Sequence, residues 1–162
     1  MTAVPARLRL AALVALAVVA ADQATKALVD RHFALGETVE LTSFAALTYV
    51  RNTGAAFGMF AGTGAGLRLP LFLLVSVVAV GVLGWFLGAI GDDQRAVAAG
   101  IGAILGGVVG NAICRLRFGA VIDFIDVHWR DLHWPAFNVA DSAITVGAAL
   151  VILLSGRDGP RA

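Results

Sequence analysis

Residues 69–90 form an unbroken apolar run without a single charged side chain. A membrane-spanning helix needs roughly 17–25 mostly apolar residues, so this run is long enough to cross a bilayer. In lipid every backbone N–H and C=O must find a partner within the protein, and for one isolated run only the α-helix provides that. Three further stretches share the pattern, at about 8–29, 96–116 and 139–154, the last slightly short. The chain has 162 residues and is 59% hydrophobic. Soluble domains are about 45–50% apolar, so the excess goes beyond what a core of this size needs. The expected fold class is membrane all-α: a single polytopic domain over 1–162, built on a four-transmembrane-helix bundle.

Arg7 and Arg9 precede an apolar run over 10–21 that ends in small residues, which imitates a cleavable signal peptide. The apolar pattern resumes at Ala27-Leu28-Val29, beyond Asp22 and Lys26, so the segment reads as a retained span. Gly91-Asp92-Asp93-Gln94-Arg95 is a tight polar turn that makes the second and third spans a helical hairpin. Four spans put both termini on one side. Arg7, Arg9, Arg95, Arg157 and Arg161 then face Arg31, Arg51, Arg68, Arg117 and Arg130, so basic residues give no orientation.

Segments 30–68 and 118–137 lie on the side away from the termini. In the first, Glu37-Thr-Val-Glu-Leu-Thr42 alternates polar and apolar residues, and Leu47-Thr-Tyr-Val50 is β-prone, so both predict short strands. The turn-forming Asn52-Thr-Gly-Ala-Ala-Phe-Gly58 follows. The second segment reads as a loop carrying Asp123, with Trp129 and Trp134 suited to the membrane–water interface. A net charge of +1 excludes the basic stripe of a nucleic-acid binder. Cys114 is the only cysteine, so no intramolecular disulfide forms, and it reads as a small packing residue.

Only 14% of the residues are charged, and an ionisable group beside a membrane run is a functional candidate by default. Asp123 lies in Val121-Ile-Asp-Phe-Ile-Asp126 and Asp141 in Phe137-Asn-Val-Ala-Asp-Ser-Ala143. Two close carboxylates share one proton, and such a pair hydrolyses peptides without metal or side-chain nucleophile. The ionised acid takes a proton from water while the protonated one supports the carbonyl oxygen. For Asp141 there is also a purely structural reading, since Asn138 to Asp141 has the spacing of a capping box. Asp126 and Asp131 read as solvated.

Gly102, Gly106, Gly110 and Cys114 recur every fourth residue, a small-residue stripe that lets helix backbones approach closely. Asn111 and Arg115 share a neighbouring face. Two readings of Arg115 stay open, an interfacial snorkel and a wall of a polar pocket. Asp22 and Lys26 also lie four apart, reading first as an ion pair anchoring the helix end and second as a substrate contact. His32, His128 and His133 form no metal set, and no Cys or acidic partner stands at ligand spacing from the last two, so no metal and no cofactor are expected. Ser142 has no histidine at a plausible separation for a triad, and no Gly-Lys-Ser/Thr follows Gly54 and Gly58 to make a P-loop.

Five motifs in order, Asp22-Gln-Ala-Thr-Lys26, Asn52-Thr-Gly-Ala-Ala-Phe-Gly58, Gly106-Gly-Val-Val-Gly-Asn111, Val121-Ile-Asp-Phe124 and Phe137-Asn-Val-Ala-Asp-Ser142, resemble those of the signal peptidase II family across nearly the whole chain. The resemblance implies a bacterial inner-membrane aspartic protease that cuts prolipoproteins just before a diacylglyceryl-modified cysteine. It implies catalytic roles for Asp123 and Asp141. Asn111, Arg115 and Asn138 match polar residues around them, and Asn52, Gly54, Asp22 and Lys26 match further motif positions. A small extracytoplasmic antiparallel β-sheet cradle, a short periplasmic helix and cytoplasmic termini are implied too. Expected partners are prolipoprotein substrates and membrane lipid, with no nucleic acid, and the chain is expected to act as a monomer. Cys114 departs from the family, which usually has an aspartate directly before this arginine. Two competing readings remain on the residues alone: a small polytopic transporter or ion-pathway protein lined by Asp123, Asp141 and Arg115, and a silent binding member of the fold.

Overall fold

The computed structural model describes residues 4–54 and 65–155. The four expected helices are present: α1 (Ala6–His32), α2 (Ala65–Ala89), α3 (Arg95–Phe118) and α4 (Val139–Ser155). The first three are long and apolar enough to cross a membrane, and α4 is a shorter apolar helix. Between them lie β1 (Thr38–Thr42), β2 (Ala45–Asn52), β3 (Val121–Trp129) and β4 (Leu132–His133). They form one antiparallel sheet in the order β1-β2-β3-β4.

The two strands expected from alternation are β1 and β2. The segment 121–129, expected as a loop, is instead the strand β3, whose Val, Ile and Phe content suits a half-buried pleat. Strand β3 pairs with β2 so that Val50 faces Asp123 and Asn52 faces Val121. Among the described residues there is no additional short helix, and Ala55–Gly58 of the turn-forming motif lie outside them.

Helix α3 is the central element, packed against α1 and α4 and more lightly against α2. Its glycines explain how. A Cβ on Gly102 would stand 2.5 Å from the Ala11 carbonyl oxygen, and one on Gly106 2.7 Å from that of Ala15. On the other side a Cβ on Gly107 would collide with the Ala140 carbonyl, and one on Gly100 would lie 2.9 Å from that of Gly147. The expected stripe therefore seats α1, and a second small-residue face seats α4. Cys114 ends the first stripe inside a cluster with Val29, Tyr49, Ile122 and Phe124 that joins the bundle to the sheet. Tyr49 donates to Asp30, and Arg51 binds both, so β2 is tied to the end of α1.

The opposite end is closed by Arg7, whose Nη1 lies 2.8 Å from Asp92 Oδ1 in the α2–α3 turn. Helix α2 turns outward the exposed side chains of Leu74, Val75, Val77, Val78, Val82 and Trp85, as a lipid-facing helix must.

Gly106→Val should force α1 and α3 apart and cost about 1–3 kcal/mol, the usual range for overpacking. Thermal unfolding in detergent checks this against Gly84→Val in α2, where an added Cβ meets nothing within 4 Å. The midpoint should fall for Gly106→Val and stay near the parent value for Gly84→Val.

Candidate active site

Asn138 ends the descent from the sheet and begins α4. Its Oδ1 accepts the Asp141 N–H at 3.0 Å, and the Asp141 Oδ2 accepts the Asn138 N–H at 3.2 Å. This reciprocal capping box is the one read from the spacing. The Asn138 side-chain amide donates in turn to Asp123 Oδ1 at 2.6 Å, with longer contacts of 3.3 Å to the Ile122 carbonyl and Asn111 Oδ1. One fully buried side chain thus caps α4 and orients the carboxylate of β3.

The two aspartates hang on separate donors. Asn52, at the end of β2, donates to Asp123 Oδ2 at 3.0 Å and accepts the Gly54 N–H at 3.0 Å. Asn111 of α3 donates to Asp141 Oδ1 at 2.8 Å. Its own Oδ1 accepts from Lys26 Nζ at 2.8 Å. Lys26 is also 3.0 Å from Asp22 Oδ2, and the second Asp22 oxygen accepts the Ala140 N–H of α4 at 3.1 Å. Asp22 and Lys26 are buried, and through Asn111 and the Ala140 N–H they support the site from behind. Gln23, which the sequence did not single out, donates to Asp22 Oδ2 and to the Gly110 carbonyl. Its position directly after Asp22 was the only available signal.

Asn52, Gly54, Asn111, Arg115, Asp123 and Asp141 all line one cavity of about 390 Å³. Phe72, Val121 and the stretch 134–137 supply its apolar wall. The Arg115 guanidinium lies 4.3 Å from the centre of the Phe72 ring, so it lines the pocket and is not a free snorkel. Among the described residues no hydrogen bond joins Asp123 directly to Asp141, and both line the same cavity.

Burial pushes the Asp123 carboxyl up to about 6. The nearby Asp141 adds to the rise, while hydrogen bonds from Asn52 and Asn138 and the charge of Lys26 oppose it. Ser142 donates to the Asn138 carbonyl at 3.0 Å, a helix-turn contact with no base beside it.

Two readings of the second segment need correction. Asp126 is not simply solvated: its carboxylate lies 2.9 Å from His133 Nδ1 and 3.6 Å from His128 Nδ1. Those histidines therefore do have an acidic partner. The signal was Asp126 and His128 two apart, which places them on one face of a strand, and the loop assignment hid it.

A sequence model described as signal peptidase (SPase) II matches residues 14–156. The chain belongs to the signal peptidase II family. It is 48% identical over 157 residues to the lipoprotein signal peptidase of Syntrophotalea carbinolica, covering 96% of each chain. It is 50% identical over 131 residues to that of Geobacter sulfurreducens, covering 80% of this chain and 81% of the relative. Two solved structures described as bacterial membrane enzymes superpose with TM-scores of 0.80, at 28% and 30% identity and over 94% and 92% of this chain. This signal peptidase II family member is thus a multi-pass membrane protein and an aspartic-type signal peptidase that processes lipoproteins. Membership in a peptidase family displaces the transporter reading.

Proton binding by Asp123 is coupled to folding. Its folded value of about 6 lies above the usual unfolded carboxylate value near 3.9. The folded chain therefore binds more protons than the unfolded one between these limits. That stabilising contribution is complete below about pH 4 and is lost as the pH rises through about 6. Infrared titration should show a protonated-carboxyl band with a midpoint near 6 that is missing from Asp123→Asn. A band that instead vanishes at the ordinary carboxylate pH would contradict the burial argument.

Proposed function

We propose that this protein cuts the signal peptide from diacylglyceryl-modified prolipoproteins, just before the lipidated cysteine, using water activated between Asp123 and Asp141. The observation that carries this reading is the placement of both carboxylates in one cavity, each held by its own asparagine. Asp141 sits in the first turn of α4, at the positive end of the helix dipole. Asp123 is the buried acid that keeps its proton longer. Asp141 takes a proton from the water as its oxygen attacks the scissile carbonyl carbon. Asp123 gives its proton to the carbonyl oxygen, forming a tetrahedral diol. Collapse breaks the C–N bond as Asp141 passes its proton to the leaving amine of the lipidated cysteine and a diol hydroxyl returns one to Asp123. The signal peptide leaves with a new carboxylate. No metal or cofactor takes part in these steps.

Arg115 offers its guanidinium to carbonyl or ester oxygens of the bound substrate, and Asn52 and Gly54 form the rim beside Asp123. An apolar groove of about 440 Å³ between α2 and α3, lined by Leu73, Val77, Val109 and Leu116 among others, suits an acyl chain or the apolar part of a signal peptide. In this reading α4 is the fourth span, its 17 residues near the short limit for crossing. The protein lies in the bacterial inner membrane as a monomer, termini in the cytoplasm. The sheet and cavity then face the extracytoplasmic side, and exposed Trp129 and Trp134 suit that interface.

Asp123→Asn and Asp141→Asn should each lower cleavage by on the order of 10³-fold or more, since members of a catalytic unit act together. Incubating each purified variant with a diacylglyceryl prolipoprotein and measuring released signal peptide checks this, with thermal unfolding to confirm folding. Near-parent turnover in either folded variant would remove the dyad. The lipid anchor acts by raising the local concentration of the cleavage site at the membrane surface. An unlipidated substrate of the same sequence should show a kcat/KM lower by about tenfold or more, and equal values would refute a role for the anchor.

A further inference from the structure

The β3–β4 hairpin carries a second cluster of titratable groups that the proposed hydrolysis does not use. His128 and His133 are paired across the two strands, with ring centres 4.8 Å apart. Asp126 lies two residues before His128, on the same face of β3 and therefore opposite to Asp123. One ligand atom from each of Asp126, His128 and His133 falls within 4.8 Å of the others.

The decisive atom is His128 Nδ1. It is buried and makes no hydrogen bond. The side chain is only 9% exposed, and this nitrogen lies 3.6 Å from Asp126 Oδ1, beyond hydrogen-bond reach. On the other edge of the same ring, Nε2 stands 3.6 Å from Glu40 Oε2 of β1. Both ring nitrogens thus face a carboxylate at 3.6 Å with no hydrogen bond between, and in the tautomer with the proton on Nε2 the Nδ1 lone pair is aimed at Asp126. Two electron-rich atoms facing each other at that distance call for a cation between them. His133 Nδ1, 2.9 Å from Asp126 Oδ2, completes the arc.

We propose that Asp126, His128 and His133 bind one divalent cation of the zinc class on the sheet. Zinc takes imidazole nitrogens and carboxylate oxygens at about 2.0–2.2 Å in a tetrahedral array. Ligand atoms in such an array stand a little over 3 Å apart, and Asp126 Oδ1 lies 3.0 Å from His133 Nδ1 and 3.6 Å from His128 Nδ1, so with all three atoms within 4.8 Å a small closure of the hairpin completes the array. Three protein ligands leave one position for water. Glu40, 3.6 Å from His128 Nε2, is placed to close in as the outer carboxylate that is a recurring partner of metal-bound histidine. Binding requires His133 to present Nδ1 unprotonated, so its proton moves to Nε2. The ion braces β4, a strand of only two residues, and with it the stretch Trp134–Phe137 that forms one wall of the candidate active-site cavity.

The test is calorimetric titration of the tag-free, detergent-purified full chain with zinc chloride after chelator treatment. One ion should bind per chain with micromolar or tighter affinity and raise the thermal midpoint. Magnesium and calcium, which prefer all-oxygen sites, should not compete. His128→Ala and His133→Ala should each weaken binding by well over tenfold, and Glu40→Gln by about tenfold, the low end for losing an outer partner. Asp123→Asn should bind zinc as the parent does, which separates this site from the proposed dyad. His133 is half exposed, so its variant should keep the parent's metal-free thermal midpoint and show that lost binding is not lost folding. Absence of saturable micromolar binding, or binding unchanged in both histidine variants, overturns the proposal.

Discussion

The buried carboxylate of Asp22 fixes where α4 begins. Its Oδ1 takes the Ala140 N–H, one of the first-turn donors that a helix leaves without an internal partner. Its Oδ2 takes Lys26, which reaches on to Asn111 and so to Asp141. A buried ion pair is poor evidence for stability, because desolvation offsets much of the attraction. Here its value is positional. Removing either partner would leave an uncompensated charge, at a cost of about 3–5 kcal/mol, so the pair holds one geometry or the region fails. Asn111, and through it Asp141, inherits that geometry.

This arrangement depends on backbones coming close. Gly110 is the clearest case: a Cβ there would lie 2.6 Å from Asp22 Oδ2. The glycine stripes of α3 bring α1 against one face and α4 against the other, so that Asp22, Asn111 and Ala140 meet. In lipid, where apolar side chains gain nothing by leaving the solvent, such close packing is a main source of helix association. The substitution of Cys114 for the family's usual aspartate fits the same picture, since the thiol is buried among apolar groups and the polar network closes without it.

The two aspartates differ because they come from different elements. Asp123 projects from a strand whose neighbours are buried apolar residues, and Asp141 from the start of a helix. Burial on the strand raises the proton affinity of the Asp123 carboxylate. Asn138 touches both and keeps the asymmetry in register. The capping residue read as structural is therefore also the one that aims Asp123, and the structural and chemical readings of this motif do not compete.

The sequence by itself determined the helices and their order, and singled out the two aspartates as candidates, because length, apolarity and capping chemistry are local properties. The bounds expected at 69–90 and 139–154 lie within a few residues of α2 and α4. Strands β1 and β2 were legible from period-two alternation, while β3 was hidden because it is buried along its first half and shows no alternation there. Only the tertiary structure decided what long-range contacts decide. It set Asp22 against Ala140 across 118 residues of chain, and turned Arg115 into the cavity over Phe72. It also drew Asp126, His128 and His133 into one cluster. Each of these joins elements whose separation in sequence carries no information about their distance in space. The registers of packed helices and paired strands supply that distance, and no local pattern encodes them.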